Sequence, residues 1–252
     1  MSTVLAGAAV ADVTPAVGGA MSGFVARSSP STGVHDPITV RAVCVDDTAL
    51  VTVDVVGLHE DFCVRVAARV SLPTANVRVH ATHTHGGPAS MPGRLGDAVD
   101  QEWLVSLEQA CVEVVEEAVR RRRPAHLLSG YGAEVVVARN RRRSDGPVDR
   151  SLPVARLVGI DGRPIAVLAS YACHPVVLGA DNTLLTADYP GVVRRLVEQH
   201  VPGAVALFLT GCAGDANTGH AASASVSLQT NDARTFESAE AAGRTIAAAI
   251  VA

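Results

Sequence analysis

Hydrophobic positions along this chain fall in short runs that alternate with stretches of helical spacing. Val4–Val10 reads as a first strand, and the loop after it carries Gly18, Gly19 and Gly23, which make it permissive. Ile38–Val45 and Ala49–Val56 are two strand-like runs separated by Asp46-Asp47-Thr48, which predicts a hairpin. The second run is almost wholly apolar, as expected of a strand buried on both faces. Apolar residues recur with helical period over His59–Ser71 and over Asp100–Arg122, with a strand at Asn76–Ala81 between them. The run Arg120–Arg123 closes the second helix, where cations meet its partial negative charge, and Pro124 stops it. Strands follow at Leu127–Val137, Leu152–Ile160 and Pro164–Ala172, the last two joined by an Asp161-Gly162 turn. Tyr189–His200 reads as a helix, Ala204–Leu209 as a strand and Asn231–Val251 as a final helix, with a small, polar loop at Gly219–Thr230. The pattern predicts an α/β protein of mixed β-sheets with flanking helices, in a single domain over residues 1–252.

Composition narrows this picture. Hydrophobic residues make up 48% of the chain but aromatics only 3%, so the core must be built from Val, Ala and Leu. The formal net charge of −4 gives no reason to expect nucleic acid as a partner. Five cysteines without a CxxC pair predict reduced thiols and a cytoplasmic protein. The N-terminal apolar run lacks a basic flank and is interrupted by Asp12, so it reads as a strand rather than a leader. No run approaches the about 20 apolar residues of a membrane span.

The chemistry lies at strand ends. Asp54 ends one predicted strand, His83 and His85 follow another, His174 a third and Asp215 a fourth. Ligands of α/β sheets bind beyond the carboxyl ends of strands, so these residues are expected to converge. In extended backbone the side chains of His83 and His85 point the same way. Both imidazoles can then face one metal, or one can bind metal while the other touches substrate. Gly86-Gly87 after them lets another chain segment approach. With His174, two histidines from separate strands need a third ligand, for which Asp54, Asp188, Asp215 and His85 are available. Asn140-Arg141 follows a strand and offers a guanidinium for an oxyanion or a substrate carboxylate, whereas Arg142 and Arg143 read as a solvated turn. His35-Asp36, ahead of Arg41, is a further polar cluster, and His126, His200 and His220 are given no role. There is no GxSxG elbow and no phosphate-binding loop.

In order, the segments GxxxADVTPxVG, VHDPxxxRA, THTHGGP, NRRRS, SYACHPVVL with its following ADYPG, and GCAGDAN resemble the neutral (non-lysosomal) ceramidase family, from about Gly7 to Asn217. The resemblance implies the fold of that family's catalytic domain and a zinc-dependent amidase. It implies that His83 and His174 bind zinc, that His85 contacts substrate, and that Arg141 is the family arginine. His174 is matched together with Asn182, Leu184, Asp188 and Gly191. Asn217 stands where the family carries a serine implicated in catalysis, and the family's downstream Glu and Tyr ligands are expected to be missing from this chain. The remaining ligands are then expected from Asp54, Asp188, Asp215, water or another subunit, which leaves a homo-oligomer open. The reading is a zinc-dependent hydrolase of an amide (N-acyl) bond in a small molecule, with metal-activated water as nucleophile. His85 or Asp54 moves the proton, Arg141 holds the oxyanion, and Asn140, Asp188, Asp215 and Asn217 contact substrate or support the ligands. The alternatives are an esterase or lactonase on the same site, or a non-catalytic homologue that binds a metal or metabolite.

Overall fold

The structure, a computed structural model, describes residues 3–95 and 98–252. The chain opens with strand β1 (Thr3–Asp12), the two-residue β2 (Gly33–Val34), β3 (Thr39–Val45) and β4 (Thr48–Val53). Helix α1 (Glu60–Arg69) leads to β5 (Val77–Ala81), and helix α2 (Gln101–Arg120) to β6 (Arg123–Tyr131) and the short β7 (Arg139–Asn140). Strands β8 (Pro153–Gly159) and β9 (Pro164–Tyr171) form a hairpin, followed by β10 (Leu184–Leu185) and helix α3 (Tyr189–His200). Strand β11 (Val205–Thr210), β12 (Ala216–Asn217) and helix α4 (Phe236–Val251) complete the order.

Eight strands make one mixed sheet in the order β11-β9-β8-β6-β1-β3-β4-β5. Its two ends are parallel pairs, β4 with β5 and β9 with β11, and the strands between them pair antiparallel. The sheet curls so that its ends meet. Ala6 and Ala8 of β1, Val43 of β3, Leu157 of β8, Ala166 of β9 and Leu207 of β11 share one buried cluster. Alanine at these inner positions lets the two halves approach closely, which is where the aromatic-poor composition enters the packing. Outside one half lie α1 and α2, burying Phe62, Val66, Leu107 and Val115 against Val40 and Val51. Outside the other lie α3 and α4, burying Tyr189, Val193, Ile246 and Ile250 against Phe208. Leu107 is fully buried, and its truncation to alanine would cost about 2–5 kcal/mol. Arg41 on β3 spans the seam, donating to the Ala206 carbonyl of β11 (3.0 Å) and to Glu198 of α3.

Helix ends follow local chemistry. Asp100 accepts from the Trp103 amide (3.0 Å) at the start of α2, and Thr235 from the Ser238 amide (3.2 Å) at the start of α4. The helix expected over Asn231–Val251 begins only at that cap. The strand expected at Leu127–Val137 is displaced: it runs over Arg123–Tyr131, and Pro124 lies inside it, opposite Leu5. The proline therefore begins a strand as well as ending a helix. Among the described residues no helix is long and apolar enough to cross a membrane.

Candidate metal centre

Because the sheet curls, the carboxyl ends of β4, β5, β9 and β11 come to one edge. Thr82 continues the β5 ladder by donating to the Val53 carbonyl (2.8 Å), and the His83 amide donates to Val55 (3.0 Å). Thr210, at the end of β11, donates through its amide to His80 Nε2 (3.1 Å) and through its hydroxyl to the Thr82 carbonyl (2.6 Å). The His174 amide donates to the Ala216 carbonyl of β12 (2.8 Å). Ring nitrogens of His83, His85 and His174 then lie within 4.8 Å of one another.

The hydrogen bonds of two of these rings fix their tautomers. His83 Nδ1 is 2.5 Å from the Val56 carbonyl, and His174 Nδ1 is 2.6 Å from the Ala213 carbonyl. A carbonyl only accepts, so both Nδ1 atoms carry the proton and both Nε2 atoms present lone pairs. Those two Nε2 atoms face each other at 2.9 Å. Two lone pairs so close can share one cation seated to the side of the line that joins them, and a backbone carbonyl on the far nitrogen is the usual support of a metal-binding histidine. Burial lowers the His83 pKa and pushes His174 down to about 4, with the Arg141 charge adding to both, so the rings are neutral near pH 7. His83 adopts a φ of +66°, a left-handed conformation that costs a non-glycine residue energy and turns its ring inward.

His85 is different. The residue is 9% exposed, both ring nitrogens are buried, and neither has a hydrogen-bond partner. Burial above all holds its pKa well below the ordinary value, and the Arg27 and Arg141 charges add to it. Its ring lies edge-on to Phe24, whose faces take the guanidinium groups of Arg27 (4.9 Å) and Arg234 (5.3 Å). Arg27 donates to the His85 carbonyl (2.6 Å) and the Gly179 carbonyl (3.0 Å). Gly23 has a φ of +118°, and a Cβ there would sit 2.5 Å from the His85 ring, so glycine makes room for the imidazole.

The carboxylates do not join the histidines. Asp54 is fully buried, and Arg194 takes both its oxygens (2.6 and 2.7 Å). Thr82 donates to one of them (3.1 Å), while the Thr39 amide (2.9 Å) and hydroxyl (2.7 Å) donate to the other. No lone pair is left for a metal or a travelling proton, so its expected catalytic role is corrected to a structural one. Asp188 caps α3, accepting from the Tyr189 amide (2.7 Å) and the Leu178 amide (3.1 Å). It fastens the loop that begins at His174 and is not a ligand. Asp215 is exposed and pairs with Arg142 (2.6 Å). Asn140 accepts from the Arg142 and Arg143 amides (3.0 Å each), and Asn217 accepts from the Gly219 (2.8 Å) and His220 (3.0 Å) amides. Both shape loops. Arg141 is held by the same turn that holds His174: its amide donates to the Asp215 carbonyl (2.7 Å) and its Nε to the Gly214 carbonyl (3.0 Å).

The family profile described as neutral/alkaline non-lysosomal ceramidase, N-terminal, matches residues 4–232. The chain belongs to the neutral ceramidase family. It is 25% identical over 154 residues to neutral ceramidase A of Dictyostelium discoideum, covering 54% of this chain and 22% of that protein. Neutral ceramidase B of the same organism is 26% identical over 147 residues, covering 51% and 20%. The crystal structure of neutral ceramidase from Pseudomonas aeruginosa superposes with a TM-score of 0.83 at 21% identity, over 98% of this chain and 44% of that one. The chain thus spans less than half of that solved ceramidase, and the matched region is about a fifth of each curated relative.

Several supports of this ceramidase-family site carry no local signal in the sequence. Arg194 sits in an ordinary helical pattern, and nothing near it in the chain signals Asp54. Arg234 donates to the Val176 (3.1 Å), Val177 (3.3 Å) and Leu178 (2.8 Å) carbonyls, tying the turn that leads into α4 to the His174 loop. Phe24 and Arg27 fall beside the glycines already recognised as a permissive loop, which was the one local signal for them.

Proposed function

We propose that this chain is a zinc-dependent hydrolase of an amide (N-acyl) bond in a small molecule. The observation that carries this reading is the facing pair of unprotonated Nε2 atoms on His83 and His174, each backed by a carbonyl. Neutral imidazole is the usual zinc donor, and catalytic zinc sites keep an open position. Family membership adds the chemistry, since a ceramide is an N-acyl amide and the relatives are named for cleaving it. Zinc, when bound, polarises a carbonyl oxygen and lowers the pKa of water towards about 7. Arg141, anchored on Gly214, supplies positive charge for the oxyanion that develops on the substrate. His85, neutral and with both ring nitrogens unpartnered, takes the proton of the attacking water and delivers it to the leaving nitrogen. Asn217 offers no hydroxyl, and its amide is used in its own loop, which favours water as nucleophile. Five free cysteines support a reducing, cytoplasmic setting.

An ester or lactone would be polarised by the same groups, and a matched ester assayed beside its amide separates that reading. Amine release from N-octanoyl amides tests the main one. Chelation should abolish turnover, and added zinc should restore it by at least about tenfold. Undiminished turnover in zinc-free protein would contradict the proposal. Stoichiometric zinc without cleavage of any amide or ester would favour a binding protein.

A further inference from the structure

A cleft of about 470 Å³ is lined by Arg139, Arg141, Arg142, Arg143, Arg150 and His220. No aspartate or glutamate is among its described lining residues. Three of its arginines are paired with acids outside that lining: Arg142 with Asp215 (2.6 Å), Arg150 with Glu134 (3.4 Å) and Arg143 with Asp145 (3.8 Å). Among the described residues Arg139 and Arg141 have no carboxylate at salt-bridge distance. Five guanidinium groups against three carboxylates leave this cleft positive in a chain whose net charge is −4. The backbone sets its distance from the metal centre. Strand β7, which carries Arg139, pairs with β12, and Ala216 of β12 accepts the His174 amide (2.8 Å). Arg141 belongs to both places: it lines the cleft, and its charge acts on His83, His85 and His174.

We propose that this cleft is an anion subsite, so that the amide cleaved here carries a carboxylate or a phosphate a few bonds from the scissile group. The proposal rests on the hydrolase reading for its catalytic part, but the subsite itself does not. Guanidinium groups bind both anions as planar forks, and a cleft of this size takes a small acidic head. A neutral amide would leave the unpaired arginines without a partner. The anion also sets direction: with its charge held on the Arg139 side, the carbonyl of the amide is drawn towards Arg141 and the histidines.

The test uses zinc-loaded protein and three matched amides: N-octanoylglycine, N-octanoylethanolamine phosphate and the neutral N-octanoylglycinamide. At low ionic strength kcat/KM for at least one anionic amide should exceed that of the neutral one by about tenfold or more. The double variant R139Q/R143Q should bring the ratio near one, and about 0.5 M salt should shrink it in the wild type. Which anion gains most tells carboxylate from phosphate. A second arm measures acetate and inorganic phosphate binding to zinc-free protein by calorimetry, with the variant alongside. Binding that weakens about tenfold in the variant, without cleavage of any amide, would uphold the subsite while the hydrolase reading fails. Equal kcat/KM for charged and neutral amides would overturn the proposal. So would zinc-free protein that binds neither anion at millimolar concentration, or binds it equally in the variant.

Discussion

Histidines and carboxylates arrive at the same edge of the sheet and meet opposite fates. His83 and His174 each spend one ring nitrogen on a backbone carbonyl and keep the other free, and His85 keeps both. Asp54 and Asp188 spend every oxygen on protein donors. A polar residue at a strand end is thus poised for chemistry when its valences are left open, and belongs to the scaffold when they are filled. Being buried does not separate the two groups, since His85 and Asp54 are both enclosed.

That contrast can be broken by mutation, most severely at the histidines. His83→Ala and His174→Ala should each lose the metal and nearly all turnover, about 10³-fold or more, as followed by elemental analysis and kinetics. His85→Ala should keep its metal and lose about 10²–10⁴-fold in kcat, since no carbonyl fixes its tautomer and its part is proton movement. Next in size comes the scaffold. Removing one partner of the Asp54–Arg194 pair leaves a buried charge alone, and Arg194→Ala should cost about 3–5 kcal/mol by urea unfolding. Its folded fraction should still bind zinc, which a true ligand variant would not.

The two aspartates also sharpen the comparison through pH. Burial pushes the Asp54 carboxyl up, but the Arg194 charge and the Arg194 and Thr39 hydrogen bonds outweigh it and hold the pKa below the ordinary value. A group lowered on folding stabilises above its unfolded pKa of about 4 and loses that contribution as pH falls below it. Asp188 has the opposite sign. Burial raises it to about 6, so its contribution favours the fold at low pH and is lost as pH rises from about 4 through 6. Denaturation followed across pH should therefore lose less stability on acidification below about pH 4 in Asp54→Asn, and should lose its rise between about pH 6 and 4 in Asp188→Asn. The smallest effect is expected at Asp215, whose pair with Arg142 is exposed on both sides: Asp215→Ala should shift stability by about 0–1 kcal/mol.

Much of this was legible in the sequence where local chemistry decides. Helix α3 begins and ends where its pattern predicts, because Asp188 caps it, Pro190 suits its first turn and His200 its last. The hairpin at Asp46 and the turn at Gly162 were marked by residues that tolerate positive φ. The two-residue strands β2, β7, β10 and β12 were not visible, since they exist only through partners distant in the chain. The site divides the same way. Three histidines at strand ends could be read as a group, but whether Asp54 is ligand or scaffold depends on Arg194, 140 positions away. Valence, which sorts the site, is a tertiary property.

The most direct measurement is the zinc content of four purified proteins, the wild type and the His83→Ala, His174→Ala and His85→Ala variants, prepared with zinc present. The account predicts about one equivalent in the wild type and in His85→Ala, and less than about a tenth in the other two. Full zinc occupancy in both His83→Ala and His174→Ala would contradict it.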